Sequence, residues 1–303
     1  MIAVGALGGF LLSRDDDSSA PCNVSDTRVS SYEWRESSWR SASARDDLVR
    51  SAEELCLDRL YVDITGAAIV VGDERARLAA DVSALVSLAD SRGIEVGAVA
   101  GDPWWPSPQG HVDAEAVLQF VADLDADGAA PAGLHIDAEP WGLDEWHDNK
   151  SELSIAYLEF VDHVEQQRTR HELTTPVVYL IPYWFDGSNG EAPRVSFDGD
   201  ELYPFDHLLN VVDDGAALSV MAYRNRALGE GGIVDLASQE TAQQRVPVII
   251  GVETASIDPP SATFADTDLP TLRNELRLVA NRTGTPEIVI NDLPSLWLLA
   301  TPI

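Results

Sequence analysis

Eight times along the chain, a short run rich in Val, Ile and Leu is followed by a longer segment with apolar residues at helical spacing. The runs are VSSYEW ending at Trp34, RLYVDIT at Thr65, IEVGAVAG at Gly101, GLHIDAE at Glu139, PVVYLIPYW at Trp184, ALSVMAY at Tyr223, VPVIIGVE at Glu253 and EIVIND at Asp292. Helices are predicted between them over about 43–57, 74–92, 113–124, 152–171, 204–212, 234–245 and 269–282, with a stub at 295–300. Strands that are apolar on both faces must be covered on both, which parallel strands joined through helices achieve. The pattern predicts an α/β fold, a single (β/α)8 TIM barrel over residues 29–303. An open doubly wound sheet is the other solution. No Gly-x-Gly-x-x-Gly follows any strand, which removes its usual support as a dinucleotide fold.

Connections from helix to strand are short, as at Arg92-Gly93, whereas those from strand to helix are long, as at 186–201 and 255–268. In barrels the working face carries the strand-to-helix loops. All eight tryptophans fall at or just after predicted strand ends: Trp34, Trp39, Trp104, Trp105, Trp141, Trp146, Trp184 and Trp297. Indoles beside polar groups suit the flat C–H faces of sugars, so the pattern points to a carbohydrate cleft on that rim.

Acids gather at the same strand ends, at Asp102, Asp137, Glu139, Asp186, Glu253 and Asp292. The fourth strand is the most loaded. Alternation puts Leu134, Ile136 and Ala138 on one face and His135, Asp137 and Glu139 on the other, before Pro140 breaks the strand. Such a polar row is costly inside a barrel unless it is paired or used. Glycoside hydrolysis needs one carboxyl to protonate the leaving oxygen and a second group to support the cationic centre. Glu139, beside Trp141, fits the acid, because desolvation raises a carboxyl pKa toward neutrality. Asp137 fits its partner.

HIDAE (135–139) is similar to the end of the D-x-x-D-x-D-x-E motif of glycoside hydrolase family 18, with Ala132 and His135 at the two earlier acid positions. MAYR (221–224) resembles that family's M-x-Y-D, matching Met221 and Tyr223, with Arg224 in place of the acid. That resemblance implies Glu139 as acid, with Asp137 and Tyr223 supporting a substrate acetamido nucleophile. AEP (138–140) and GVET (251–254) resemble instead the clan A retaining glycosidases, which implies Glu139 as acid/base and Glu253 as nucleophile. Ala138 stands where that clan carries asparagine. Both resemblances converge on Glu139 and on a poly- or oligosaccharide substrate without a cofactor.

Two other readings use the same residues. A non-catalytic carbohydrate-binding barrel would keep the indole rim and use the acids only to position sugar. A metal-dependent hydrolase would take His135, Asp137 and Glu139 as ligands, although no His-x-His or His-x-x-x-His pair occurs. No Gly-x-Ser-x-Gly supports a serine nucleophile.

Acids outnumber bases 51 to 20, giving a formal charge of -31, and Lys150 is the only lysine. This field excludes nucleic acid and anionic membranes as partners. The pattern resembles proteins of salt-loving archaea. The apolar run from Ile2 to Leu12 is too short for a bilayer span. Residues 1–28 read as that run plus a polar linker, a truncated signal or anchor that places the protein outside the cell or on its surface. A frayed terminus of a cytoplasmic protein is the alternative. Two cysteines, Cys22 and Cys56, rule out a disulfide-dense scaffold, and Cys56 reads as a small core residue.

Overall fold

A computed structural model describes Val24 and residues 26–301, and within them eight parallel strands close into a barrel. In ring order these are β1 (Arg28–Glu33), β2 (Arg59–Asp63), β3 (Glu95–Ala100), β4 (Leu134–Ile136) and β5 (Val177–Pro182), then β8 (Ala216–Met221), β9 (Val248–Glu253) and β10 (Glu287–Asn291). A small antiparallel hairpin, β6 (Val195–Phe197) and β7 (Asp200–Leu202), stands outside the ring after β5. Its three-residue strands are too short to register as a period in sequence. The single (β/α)8 barrel expected from the alternation is the fold observed.

Around the ring run α1 (Ala42–Glu54), α2 (Gly72–Asp90), α3 (Pro108–Ala126), α4 (Trp146–Arg170), α5 (Pro204–Val211), α6 (Ile233–Leu236), α7 (Ser238–Ala242), α8 (Leu269–Thr283) and α9 (Leu293–Ala300). The helix expected over 234–245 is split into α6 and α7. Several helices start earlier than the apolar period suggests, and at α1 and α3 a side-chain cap sets the start. Ser41, not Ser43, caps α1 by accepting the Ala44 N–H, and Ser107 caps α3 by accepting that of Gly110.

Of the segment and linker expected over residues 1–28, all but Val24 and residues 26–28 lie outside the described residues, as does Cys22. Cys56 is not the small core residue expected. It is half-buried, takes a positive φ of 59° after α1 and is disulfide-bonded. Among the described residues no helix is long and apolar enough to cross a membrane.

Side-chain alternation sorts the strands into two apolar layers. Leu134, Ile136 and Ala138 join the layer between sheet and helices, where full burial stabilises by roughly 1.5–3 kcal/mol for each large apolar side chain. Tyr32, Tyr61, Val99, Val178, Leu180, Ile249 and Val289 fill the barrel itself. Gly97 makes room for Tyr61, since a Cβ there would lie 2.4 Å from its ring. Below that layer, at the strand starts, Arg59 pairs with Glu287 at 2.8 Å and with Glu95. Tyr61 Oη and Ser30 Oγ both donate to Glu287 Oε1, at 2.9 and 2.6 Å. This buried network closes the floor, every charged member having a partner, as burial demands.

Candidate active site

The strand ends opposite that floor bring together residues from β2, β4, β8, β9 and β10. β4 is regular for only three residues, and the Asp137 N–H still donates to Ala100 O at 2.9 Å before the chain turns at Pro140. Gly101 permits this approach, because a Cβ there would fall 2.0 Å from Asp137 O. Thr65 locks the neighbouring ends together. Its hydroxyl donates to Asp63 Oδ1 at 2.6 Å and accepts the Gly101 N–H at 3.1 Å.

Asp137 and Glu139, both half-buried, stand close enough for each carboxyl to shift the titration of the other, and Asp137 Oδ1 is buried without a hydrogen-bond partner. Burial raises the Asp137 pKa well above the ordinary carboxylate range, and the charges of Glu139 and Asp63 add to the rise. Burial raises Glu139 too, opposed by Asp137 and by the hydrogen bond from the side chain of Trp141. One carboxyl thus holds a proton for the other, and the two titrate as a pair. Tyr223 lies among the acids. Burial raises its pKa well above 10.0, followed by the charges of Glu139, Glu253 and Asp137.

Glu253 ends β9 at only 3% exposure. Its Oε1 accepts the Ala255 N–H at 2.6 Å and its Oε2 accepts Asn291 Nδ2 at 2.8 Å. Asn291 in turn accepts the Trp34 indole N–H at 2.8 Å, and Trp34 packs at a tilt against Tyr32 with ring centroids 5.2 Å apart. Met221 ends β8 beside this group, and Arg224 lies over Tyr183 with its Nη1 donating to Tyr223 O at 2.6 Å. Two residues below Asp137, His135 is fully buried, its Nδ1 2.7 Å from Tyr32 Oη and its ring 3.8 Å from that of Tyr61. It therefore belongs to the barrel interior and does not join Asp137 and Glu139 as a ligand. Among the described residues no group of three or more His, Cys, Asp or Glu side chains is placed to hold a metal ion.

Trp34 aside, the indoles divide into four sets. Trp141 and Trp184 pack edge to face at 6.1 Å, with Trp146 and Phe185, forming an aromatic wall beside Glu139. Trp104 is 57% exposed and lines a rim cavity of about 380 Å³ with Asp102, Thr65 and Ile69. Trp39 and Trp105 are buried packing residues, Trp105 against Phe160. Trp297 sits on α9 in a separate cleft of about 460 Å³ against α1, with Arg35 and Asp47. Neither cavity includes Asp137 or Glu139; they flank the mouth.

The remaining acids have local tasks. Asp102 accepts the Trp104 N–H and shapes its turn, and Asp292 caps α9 by accepting the Ser295 N–H at 3.0 Å. Asp186 is buried and accepts the Ser188 N–H at 2.7 Å. Asp63 and Asn291 complete the mouth, and Tyr32 supports it from the barrel interior, without having been singled out as site residues from sequence. Their signal was present in the alternation of the first, second and eighth runs, which puts all three on inward faces.

No protein-family model matches the sequence, and no curated protein sequence matches it. Solved structures do match in shape. A GH18 chitinase from Pseudoalteromonas aurantia superposes with a TM-score of 0.51 at 15% identity, over 88% of this chain and 94% of that one. A GH5_18 protein from Streptomyces cattleya, in complex with Manβ1-4GlcNAc, gives 0.56 at 13% identity over 87% and 70%. The PgaB (BpsB) glycoside hydrolase domain from Bordetella bronchiseptica gives 0.50 at 11% over 87% and 93%. The likeness is one of fold. These neighbours are glycoside hydrolases built on the same barrel.

Proposed function

We propose that the chain is a glycosidase acting on a poly- or oligosaccharide, with Glu139 as general acid and Asp137 as its working partner. The half-buried carboxyl pair at the end of β4, each acid shifting the titration of the other, carries the reading. A raised pKa keeps a proton on the pair at the pH where a leaving oxygen must receive one. As Glu139 gives its proton to the leaving oxygen it takes up the proton held by Asp137, and the Asp137 carboxylate so formed steadies the positive charge developing above it, while Tyr223 lines the same space. Trp141 and Trp184 provide the apolar wall for a sugar face, with Trp34, Trp104 and Asp102 as further contacts along the rim.

Glu253 is the less suitable partner, because both its oxygens are engaged and its side chain is sealed. Its task in this scheme is to hold Asn291, and through it Trp34. The disulfide at Cys56 and the apolar run at 2–12 support export to an oxidising compartment. The charge of -31 supports a high-salt medium.

The test is glycan-array binding in molar salt, followed by product analysis on the hits with wild type and Glu139→Gln. An enzyme loses about 10²–10⁴ in turnover while keeping the ligand. Binding without products in the wild type, unaffected by the substitution, identifies a carbohydrate-binding barrel instead.

A further inference from the structure

The alternation of β1 continues past its last residue, with Arg35 still extended. Tyr32 and Trp34 turn toward the barrel and its mouth, whereas Glu33 and Arg35 turn outward, into the cleft of about 460 Å³ between α1 and α9. The end of β10 divides in the same way. Asn291 binds Glu253 and Trp34 in the mouth, and Leu293 lines the cleft. The chain at 33–35 and 291–293 is therefore a partition, with the mouth on one side and the cleft on the other.

Within the cleft Arg35 is held in place. The Glu33 carboxylate, with its side chain 1% exposed, accepts Arg35 Nε at 2.9 Å, Nη2 at 3.0 Å and the Arg35 backbone N–H at 3.0 Å. Nη1 donates to nothing among the described residues, which leaves a pre-set donor edge at the cavity. Trp297, half-buried, supplies an aromatic wall, and Ser38 and Ser51 add hydroxyls. The charges of the lining are compensated, Glu33 by Arg35 and Asp47 by Arg50 at 2.8 Å. Such a lining favours neither anion nor cation. Fixed N–H groups beside an indole face match a neutral sugar, whose hydroxyls accept hydrogen bonds and whose C–H face stacks. The volume is that of a small-ligand site.

We propose that this cleft is a second glycan-binding site, which stacks a neutral pyranose unit on Trp297 and hydrogen-bonds it through Arg35. In taking the same polymer as the mouth, the site rests on the glycosidase reading. A chain gripped on both sides of the partition binds more tightly than either stretch alone, because the second contact is made at high local concentration.

The test uses the full chain with Glu139→Gln to prevent turnover, isotope-labelled at its indole nitrogens, in molar NaCl. Trp297→Phe, Trp141→Phe and Trp184→Phe assign the three indole N–H resonances. Laminarihexaose, mannohexaose and N-acetylchitohexaose are titrated in, with hexagalacturonate as the anionic comparison. At least one neutral hexasaccharide should shift the Trp297 resonance saturably. Arg35→Lys keeps the charge but loses the fork, and should weaken that response about tenfold. A Trp297 resonance that no neutral sugar moves, or that hexagalacturonate moves at lower concentration, overturns the site. So does an unchanged response in Arg35→Lys. Shifts of Trp141 and Trp184 with Trp297 silent remove the cleft and leave the glycosidase reading standing. A Trp297 that titrates while the wild type yields no product upholds the cleft and removes that reading instead.

Discussion

The hydroxyl of Tyr32 and Nδ1 of His135 lie 2.7 Å apart, buried two residues below Asp137. Burial, and then the charge of Arg59, hold the His135 pKa well below its usual range, so the ring is neutral. Asp137 therefore rests on an uncharged layer. Tyr32→Phe strips the ring of its partner without changing its shape. Urea unfolding should show a loss of about 1–3 kcal/mol, the cost of one unsatisfied buried polar group. An unchanged midpoint would mean that the imidazole finds another partner.

The raised pKa of Asp137 has a defined sign in stability. Its folded pKa lies above the ordinary 3.8, so the folded chain binds more protons than the unfolded one between 3.8 and the raised value. Wild-type stability from this group therefore falls as pH rises through that window. Asp137→Asn removes the titration. Its stability relative to wild type should rise steadily from about pH 4 toward neutrality in urea unfolding at stepped pH. A flat difference would show that the pair shares no proton.

Trp141 donates to Glu139 and so favours its anion. Trp141→Phe keeps an aromatic ring but removes the N–H, which should raise the pKa of the acid by up to about one unit. For a general acid, activity is lost as pH climbs through that pKa. The alkaline limb of kcat/KM should thus move to higher pH in the variant, whatever happens to its height. Movement to lower pH would exclude Glu139 as the proton donor.

Glu253 separates two mechanisms. Glu253→Gln sets an amide against donors at 2.6 and 2.8 Å, and should cost about 1–3 kcal/mol of stability. Turnover by the folded fraction should fall less than about tenfold, far less than in Glu139→Gln. A loss equal to that of Glu139→Gln, with a sugar trapped covalently on Glu253 in slowed wild-type reactions, would make Glu253 the nucleophile.

The barrel could be read from the chain because burial on both faces, repeated eight times, has few geometric solutions. The carboxyl row of β4 could be read for the same reason, since alternation alone puts His135, Asp137 and Glu139 on one face. What alternation cannot give is the direction a side chain takes once the strand has ended. Trp39, Trp105 and Trp146 follow strand ends as Trp141 does, yet they turn into packing, and Trp297 rides α9 to a separate cleft. Asp292 and Asp186 likewise went to a helix cap and a buried turn. The Arg59–Glu287 pair joins positions 228 apart in sequence, and no local period connects them.

That pair gives the molecule a closed bottom. With Arg59, Glu287 and Tyr61 sealing one end and aromatic and branched side chains stacked above them, the barrel is a cup rather than a tube. A guest that reaches Asp137 must leave by the door it came through, and any water that follows must wait for that doorway to clear.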